Sequence, residues 1–129
     1  MKLSDLMIGD WVYVENVGKP VRVESVGYTV FVGYEHFQEI NGSIYGIKPI
    51  ELTEEILEKN GFGFLDTSNN EIKSVWTGWW ILDGLELGCF CNLKFPVYFN
   101  ISDVNVKINY VHELQHALKL CGIEKEIVL

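Results

Sequence analysis

The first fifty residues of the chain are short segments rich in Val, Ile, Tyr and Phe, separated by glycine. Segments with the pattern of β-strands lie at 10–15, 21–26, 28–32 and 44–50. The Gly18-Lys19-Pro20 sequence between the first two is typical of a β-hairpin turn. Because short, closely connected strands curl easily, this region predicts a small curled sheet or barrel.

The remainder of the chain predicts an antiparallel sheet that is preceded and followed by a helix. Thr53 is a good N-cap and Gly61 a good left-handed stop, which together indicate a short helix over 53–60. Strand segments follow at 62–65, 72–82, 90–99 and 104–108. Proline cannot donate a hydrogen bond to a neighbouring strand, so Pro96 predicts an edge or a bulge within its segment.

The apolar period changes to that of a helix between Tyr110 and Cys121. An apolar stripe recurs at steps of three and four residues: Val111, Leu114, Leu118 and Cys121. We expect this stripe to pack on the sheet and the polar side chains to face outward. The polar side chains are His112, Gln115, His116 and Lys119.

These elements predict a fold of the α+β class that is mainly β. It consists of a small curled sheet or barrel resembling the Src-homology-3 type, then an antiparallel sheet, with one short middle helix and one C-terminal amphipathic helix. A length of 129 residues is the usual size of one domain. We therefore predict a single domain over 1–129, with the sub-parts 1–50 and 51–129.

Charge indicates which partners the chain can bind, and cysteine content and hydropathy indicate where in the cell it is located. The chain has 18 acidic and 10 dispersed basic residues and a formal net charge of -8, so we expect no nucleic-acid binding. Its 3 cysteines lack Cys-x-x-Cys spacing, which favours reduced thiols. Since the sequence has neither a signal peptide nor an apolar run long enough for a membrane span, we expect a cytoplasmic protein without membrane contact.

The segment from His112 to His116 matches the His-Glu-x-x-His pattern of zinc peptidases, on a predicted helix. In that chemistry two imidazoles one turn apart, here His112 and His116, hold a zinc ion. The intervening Glu113 would take a proton from the metal-bound water.

The surroundings of this pattern fit a zinc site poorly. The extended motif needs Gly and His where this chain has Lys119 and Gly122, and the tail is too short for a Glu-bearing helix. An upstream ligand such as His36 stays open. We therefore interpret the histidines as solvated helix residues without a cofactor, and keep zinc as the alternative.

Three tryptophans lie together in Trp76-Thr77-Gly78-Trp79-Trp80. In a regular strand Trp76 and Trp80 share one face and Trp79 points to the other, so at least one indole is expected at the surface. One interpretation is a ligand or partner surface formed by the three indoles, the partner being a protein, a small molecule or a second copy of the chain. The other interpretation is ordinary core packing.

Four segments occur together in a pattern that resembles a known family. They are Leu3–Val12, Gly18–Val23, Ile50–Leu57 and Tyr110–Gln115. The chain resembles a large family of small uncharacterised proteins encoded by phages, prophages and other mobile elements of gut bacteria. The resemblance implies no activity, and since Asn is usual in that family at the position of His116, it implies that the second histidine is not a family feature.

Two hypotheses of different classes follow. The first is a non-enzymatic binding protein of a phage or mobile element, which holds a protein or a small ligand on the surface formed by Trp76, Trp79 and Trp80. The alternative is a zinc-dependent hydrolase that uses the segment 112–116. Zinc analysis of the purified protein separates the two.

Overall fold

The computed structural model describes residues 1–27, 29–33, 35–68, 75–101 and 103–129. Two compact units make up the chain. The first consists of Met1–Glu51 and Tyr110–His112, and the second of Leu52–Asn109 and Glu113–Leu129. The prediction of one domain over 1–129 stays a prediction.

The first unit contains an antiparallel sheet that is nearly closed into a barrel. A single 3-10 turn, Leu3–Asp5, precedes the strands β1 (Trp11–Val14), β2 (Lys19–Val26), β3 (Thr29–Val32), β4 (Glu35–Ile40), β5 (Ser43–Ile44) and β6 (Ile47–Lys48). Their order in the sheet is β5-β4-β3-β2-β1-β6. Alternate residues of β1, Val12 and Val14, are buried and join a core of Val, Leu and Ile side chains.

The strand β4 was not predicted, because its sequence lacks the apolar alternation of a half-buried strand. Most of its side chains are exposed, and it joins the sheet by pairing Phe37 with Val30 of β3. Tyr28, the first residue of the predicted third strand, lies outside the described residues.

The second unit begins with the short helix α1 (Glu54–Lys59). The Thr53 hydroxyl accepts a hydrogen bond from the backbone N–H of Ile56 at 3.3 Å, and Gly61 has a φ of 89°. The predicted cap and stop are therefore confirmed. Asn60 follows the helix and is buried, where its amide nitrogen donates to the carbonyl oxygens of Ile56 and Val128 and its amide oxygen accepts from Val128 N–H.

An antiparallel meander of five strands forms the sheet of this unit. The strands are β7 (Gly63–Asp66), β8 (Trp76–Leu82), β9 (Leu85–Phe90), β10 (Val97–Ile101) and β11 (Val104–Ile108). Each pairs with the next along the chain, in the order β11-β10-β9-β8-β7. With the nearly closed first sheet, this arrangement confirms the predicted α+β, mainly β class.

The sheet has a covered face and an open face. Leu85, Leu87 and Cys89 of β9 are buried on the covered face, whereas Glu86 and Phe90 point to the opposite side and are exposed. The last helix, α2 (Val111–Leu120), presents Ala117 towards this unit's covered face, next to Ile108. The alternation within one strand thus separates core from solvent.

Three predictions about the strands are corrected. The predicted strand 44–50 is interrupted at Gly46, whose φ is 91°, so that β5 and β6 are separate strands. The predicted strand 90–99 is interrupted, because Cys91 and Asn92 adopt left-handed backbone angles of 61° and 58° in φ and turn the chain. Pro96 therefore lies in the connection before β10, not at an edge or bulge inside a strand, and follows a cis peptide bond. Residues 72–74 of the predicted strand 72–82 lie outside the described part of the chain.

The outward orientation predicted for His112 is wrong. Val111, Leu114 and Leu118 are buried as expected, but so is His112. Its ring stacks on that of Tyr110 at 5.8 Å, and the adjacent Val111 N–H donates to Ile50 oxygen. This backbone hydrogen bond joins the first residue of α2 to a residue distant in sequence.

Cys121, predicted on the apolar stripe, is exposed because it lies beyond the end of α2. Neither helix within the described ranges is long and apolar enough to cross a membrane.

Candidate aromatic interface on the second sheet

A β-bulge in β8 decides which face each tryptophan occupies. Trp76 pairs with Phe90 and Gly78 pairs with the adjacent Cys89, so Thr77 is an additional residue in β8. Because side-chain direction alternates along a strand, this one extra residue moves Trp76 to the face of Trp79. The prediction that Trp76 and Trp80 share a face is therefore wrong.

Four aromatic side chains come together on the open face of the second sheet: Trp76, Trp79, Phe90 and Tyr98. The indoles of Trp76 and Trp79 are 5.3 Å apart between ring centroids, and the Trp76 ring is 5.9 Å from Phe90 and 6.1 Å from Tyr98. Phe90 and Tyr98 stack at 5.3 Å with an interplanar angle of 26°. We call these four residues the aromatic face.

Gly88 forms the floor of the aromatic face. It lies between Trp79 of β8 and Tyr98 of β10 in the sheet register. A β-carbon added at this position would meet Trp76 Cε3 at 2.6 Å and Trp79 Cζ3 at 3.0 Å. The indoles therefore rest directly on the backbone, and only glycine leaves them that space.

Polar and apolar exposed residues surround the aromatic face. Leu65 of β7 pairs with Trp79, and Lys107 of β11 pairs with Tyr98, so both lie on the same face of the sheet. Glu86 lies on that face along β9, and the Asn100 side chain donates to Asn105 Oδ1 at 3.0 Å. The centre is aromatic and partly buried, while the rim is solvated and, apart from Leu65, polar.

Trp80 lies on the covered face of the sheet. The prediction that it belongs to the same surface as Trp76 and Trp79 is therefore wrong. It is only 1% exposed, and its ring lies 5.0 Å from that of Phe64. Its indole nitrogen donates to Lys94 oxygen at 3.1 Å, which satisfies the buried N–H. The same lysine forms an ion pair with Glu54 at 2.7 Å, and this hydrogen bond raises the pKa of Lys94.

The residues of the zinc pattern have different surroundings. His112 is buried beside Tyr110, as described above. Glu113 Oε1 accepts a hydrogen bond from the backbone N–H of Asn109 at 2.9 Å, which places this carboxylate at the start of α2. His116 is half-buried and lines an open groove with Phe99 and Leu120.

Within the residues that the structure describes, no group of three or more His, Cys, Asp and Glu side chains is arranged to hold a metal ion. The three cysteines are free thiols: Cys89 is buried, and Cys91 and Cys121 are exposed. Burial raises the pKa of the Cys89 thiol, and the carboxylate of Asp66 adds to the increase.

The sequence prediction missed Phe90 and Tyr98 as members of the candidate site. Both lie in the segment 90–99, which the pattern of residues predicted as one continuous strand. In one strand these two residues, eight apart, would share a face only as remote neighbours. The turn at Cys91 and Asn92 instead brings Phe90 of β9 beside Tyr98 of β10.

Comparison of the chain with protein-family models, with curated proteins and with solved structures gives no match. The candidate site therefore rests on the geometry of the described residues.

Proposed function

We propose that this chain is a non-enzymatic binding protein that holds a protein partner against the aromatic face. The observation that carries the proposal is the group of Trp76, Trp79, Phe90 and Tyr98 on an open sheet face, opposite a complete core. A folded domain gains little by ordering four aromatic rings at its surface. A partner that covers them gains a large apolar area.

The arrangement of residues resembles that of protein interfaces. Such interfaces have an aromatic centre, depleted in charge, within a polar rim that stays solvated, and tryptophan and tyrosine contribute most to affinity. Here the rings form the centre, while Glu86, Lys107 and Asn105 belong to the exposed rim. Charges of both signs at the rim would orient the partner and select against incorrect ones.

A protein suits this surface better than a small molecule. Small-molecule sites are concave and enclose most of the ligand. The aromatic face instead lies on a sheet, and Trp76 and Trp79 are tilted by 42° against each other instead of forming two parallel walls. The broad surface of a protein partner can match rings that are tilted in this way.

The location and origin of the protein are part of the same proposal. Three free thiols suit the reducing cytoplasm, and the resemblance to small proteins of phages and mobile elements suits a protein that binds a host or phage protein there. We keep the zinc-dependent hydrolase as the alternative, with His112 and His116 as ligands and Glu113 as the base.

Site-specific photo-crosslinking in bacterial cells tests the proposal. A photoreactive residue replaces Leu65 at the rim of the aromatic face or, as the matched control, Leu93, an exposed leucine in the connection between β9 and β10. We expect one discrete crosslinked protein from position 65, its loss with Trp79→Ala, and none from position 93. Equal products from both positions would refute the proposed surface.

The partner identified by crosslinking is then purified on its own, and its affinity for the unmodified chain and for the variants is measured directly. Trp79→Ala should weaken binding at least tenfold, as expected for an aromatic residue at the centre of an interface. An unchanged affinity would refute the role of the aromatic face. Metal analysis of the purified chain addresses the alternative: stoichiometric zinc that is lost with His116→Ala would replace the binding function with the hydrolase.

A further inference from the structure

The strand β11 forms one edge of the second sheet. It pairs with β10 on its inner side, and in the part of the chain that the structure describes no strand pairs with its outer side over Val104–Ile108. The β10–β11 register pairs Ile101 with Val104. In so tight a hairpin the N–H and C=O groups of this closing pair point towards each other, so those of Val104 point inward to β10. By alternation, the N–H and C=O groups of Asn105 and Lys107 point outward.

Contacts beyond the strand define where this open edge ends. The carbonyl of Asn109, the next outward-pointing residue after Lys107, accepts a hydrogen bond from Leu52 N–H at 2.9 Å. The same side of the chain therefore already pairs with an extended segment. The stretch that is open to a further strand is β11 itself.

The side chains beside the open edge are apolar and exposed on the helix side of the sheet. Val104 is 61% exposed, Val106 39% and Leu120 of α2 71%. Between β11 and α2 lies a groove of about 180 Å³. Its lining consists of Phe99, Val106, Ile108, Glu113, His116, Ala117 and Leu120. An edge strand with exposed valines beside an apolar groove is a surface that proteins normally protect.

The sequence of β11 is complementary to itself. When two copies of Val-Asn-Val-Lys-Ile run antiparallel about a two-fold axis at Val106, Val104 lies opposite the partner's Ile108, and Asn105 opposite the partner's Lys107. No like charges face each other. β11 also contains no carboxylate, although the whole chain has a net charge of -8. The outward backbone groups of Asn105 would pair with those of the partner's Lys107.

We propose that a second copy of the chain pairs with β11, so that two second sheets join edge to edge into one continuous sheet. The two-fold axis passes through Val106, and the valines and Leu120 are covered on one face. This interface uses the backbone edge of β11 and none of the four rings of the aromatic face, although the side chains of Asn105 and Lys107 also belong to the rim of that face. The chain then presents two aromatic faces on one side of the joined sheet, which allows two partner molecules to bind.

Sedimentation equilibrium of the full chain over a range of concentrations tests this proposal. We expect a dimer whose dissociation constant rises at least about tenfold in Lys107→Pro and in Val104→Lys. The proline removes an N–H that points outward, which an edge strand tolerates, and the lysine replaces an exposed valine. Val75→Lys, at another exposed valine, is the matched control and should dimerise like the unmodified chain.

A disulfide test defines the register. In a background with Cys91→Ser and Cys121→Ser, Val106→Cys should form an interchain disulfide under mild oxidation, because the two-fold axis brings the two copies of this residue opposite each other. Asn105→Cys should crosslink far less. A monomer at every concentration, or a dimer that is lost with Trp79→Ala and kept with Lys107→Pro and Val104→Lys, would overturn the proposal.

Discussion

The two faces of the second sheet both carry tryptophan from β8, yet in opposite surroundings. On the covered face Trp80 is almost fully buried and its N–H is bonded to Lys94 oxygen. On the open face Trp76 and Trp79 are half-buried and lie against Gly88. Adjacent indoles of one strand thus serve packing in one case and a candidate interface in the other.

The difference between the faces depends on Thr77, the bulged residue. Its hydroxyl accepts a hydrogen bond from Asn92 N–H at 2.9 Å, and its carbonyl accepts one from Thr67 N–H at 3.0 Å. The first bond ties the bulged residue to the turn that follows β9, and the second continues the β7–β8 pairing on the other side of β8. A regular strand would leave Trp79 without Trp76 beside it, so the bulge assembles the aromatic face.

The largest expected effect is the difference in unfolding free energy between substitutions on the covered face and on the open face. Trp80→Ala removes a buried indole and should lower the free energy of unfolding by about 3–5 kcal/mol. Trp79→Ala should cost less than half as much, because the side chain is half-solvated in the folded protein. Urea denaturation followed by circular dichroism measures both variants. Equal losses for Trp79 and Trp80 would mean that the open face is also core.

A smaller effect is expected at the floor of the aromatic face. Gly88→Ala places a methyl group against Trp76 and Trp79, and overpacking of this kind typically costs about 1–3 kcal/mol. Gly63→Ala is the matched control, because a β-carbon there has no heavy atom within 4 Å and its backbone needs no left-handed conformation. Denaturation midpoints and near-ultraviolet circular dichroism should change for Gly88→Ala alone. If both variants behave like the unmodified chain, the indoles do not rest on Gly88.

The features that sequence predicted well depend on neighbouring residues. The helix α1 is defined by Thr53 and Gly61, and the β1–β2 hairpin by the turn residues around Gly18. Each of these signals acts within a few residues and needs no knowledge of the remaining fold.

Two of the features that sequence predicted wrongly depend on residues far along the chain. The face of Trp76 is decided by its pairing with Phe90, and the buried His112 adjoins Val111, whose N–H bonds to the oxygen of Ile50. Alternation within one segment carries no information about either pairing. The candidate site therefore could be recognised as a group of tryptophans, but its members could not be chosen correctly.

The smallest expected effect concerns the difference between the buried thiol of the covered face and the exposed thiols. Cys89 is buried on the covered face, and Cys91, in the turn that follows β9, is exposed. Iodoacetamide should therefore label Cys91 and Cys121 in the folded protein, and Cys89 only after unfolding. Mass spectrometry of the digested protein gives the position of each label, and rapid labelling of native Cys89 would show that the covered face is open.

The same thiol should make stability depend on alkaline pH. Burial raises the pKa of Cys89 in the folded state above the ordinary thiol value, so below that ordinary value both states are protonated and the group has no effect. As pH rises further, the unfolded chain loses the proton more readily, and the folded state is increasingly disfavoured. The unmodified chain should therefore lose more stability between neutral and strongly alkaline pH than Cys89→Ala does. If both proteins lost the same stability over this pH range, the Cys89 thiol would be in contact with water. The covered face would then not be buried, and the distinction between the two faces would fail.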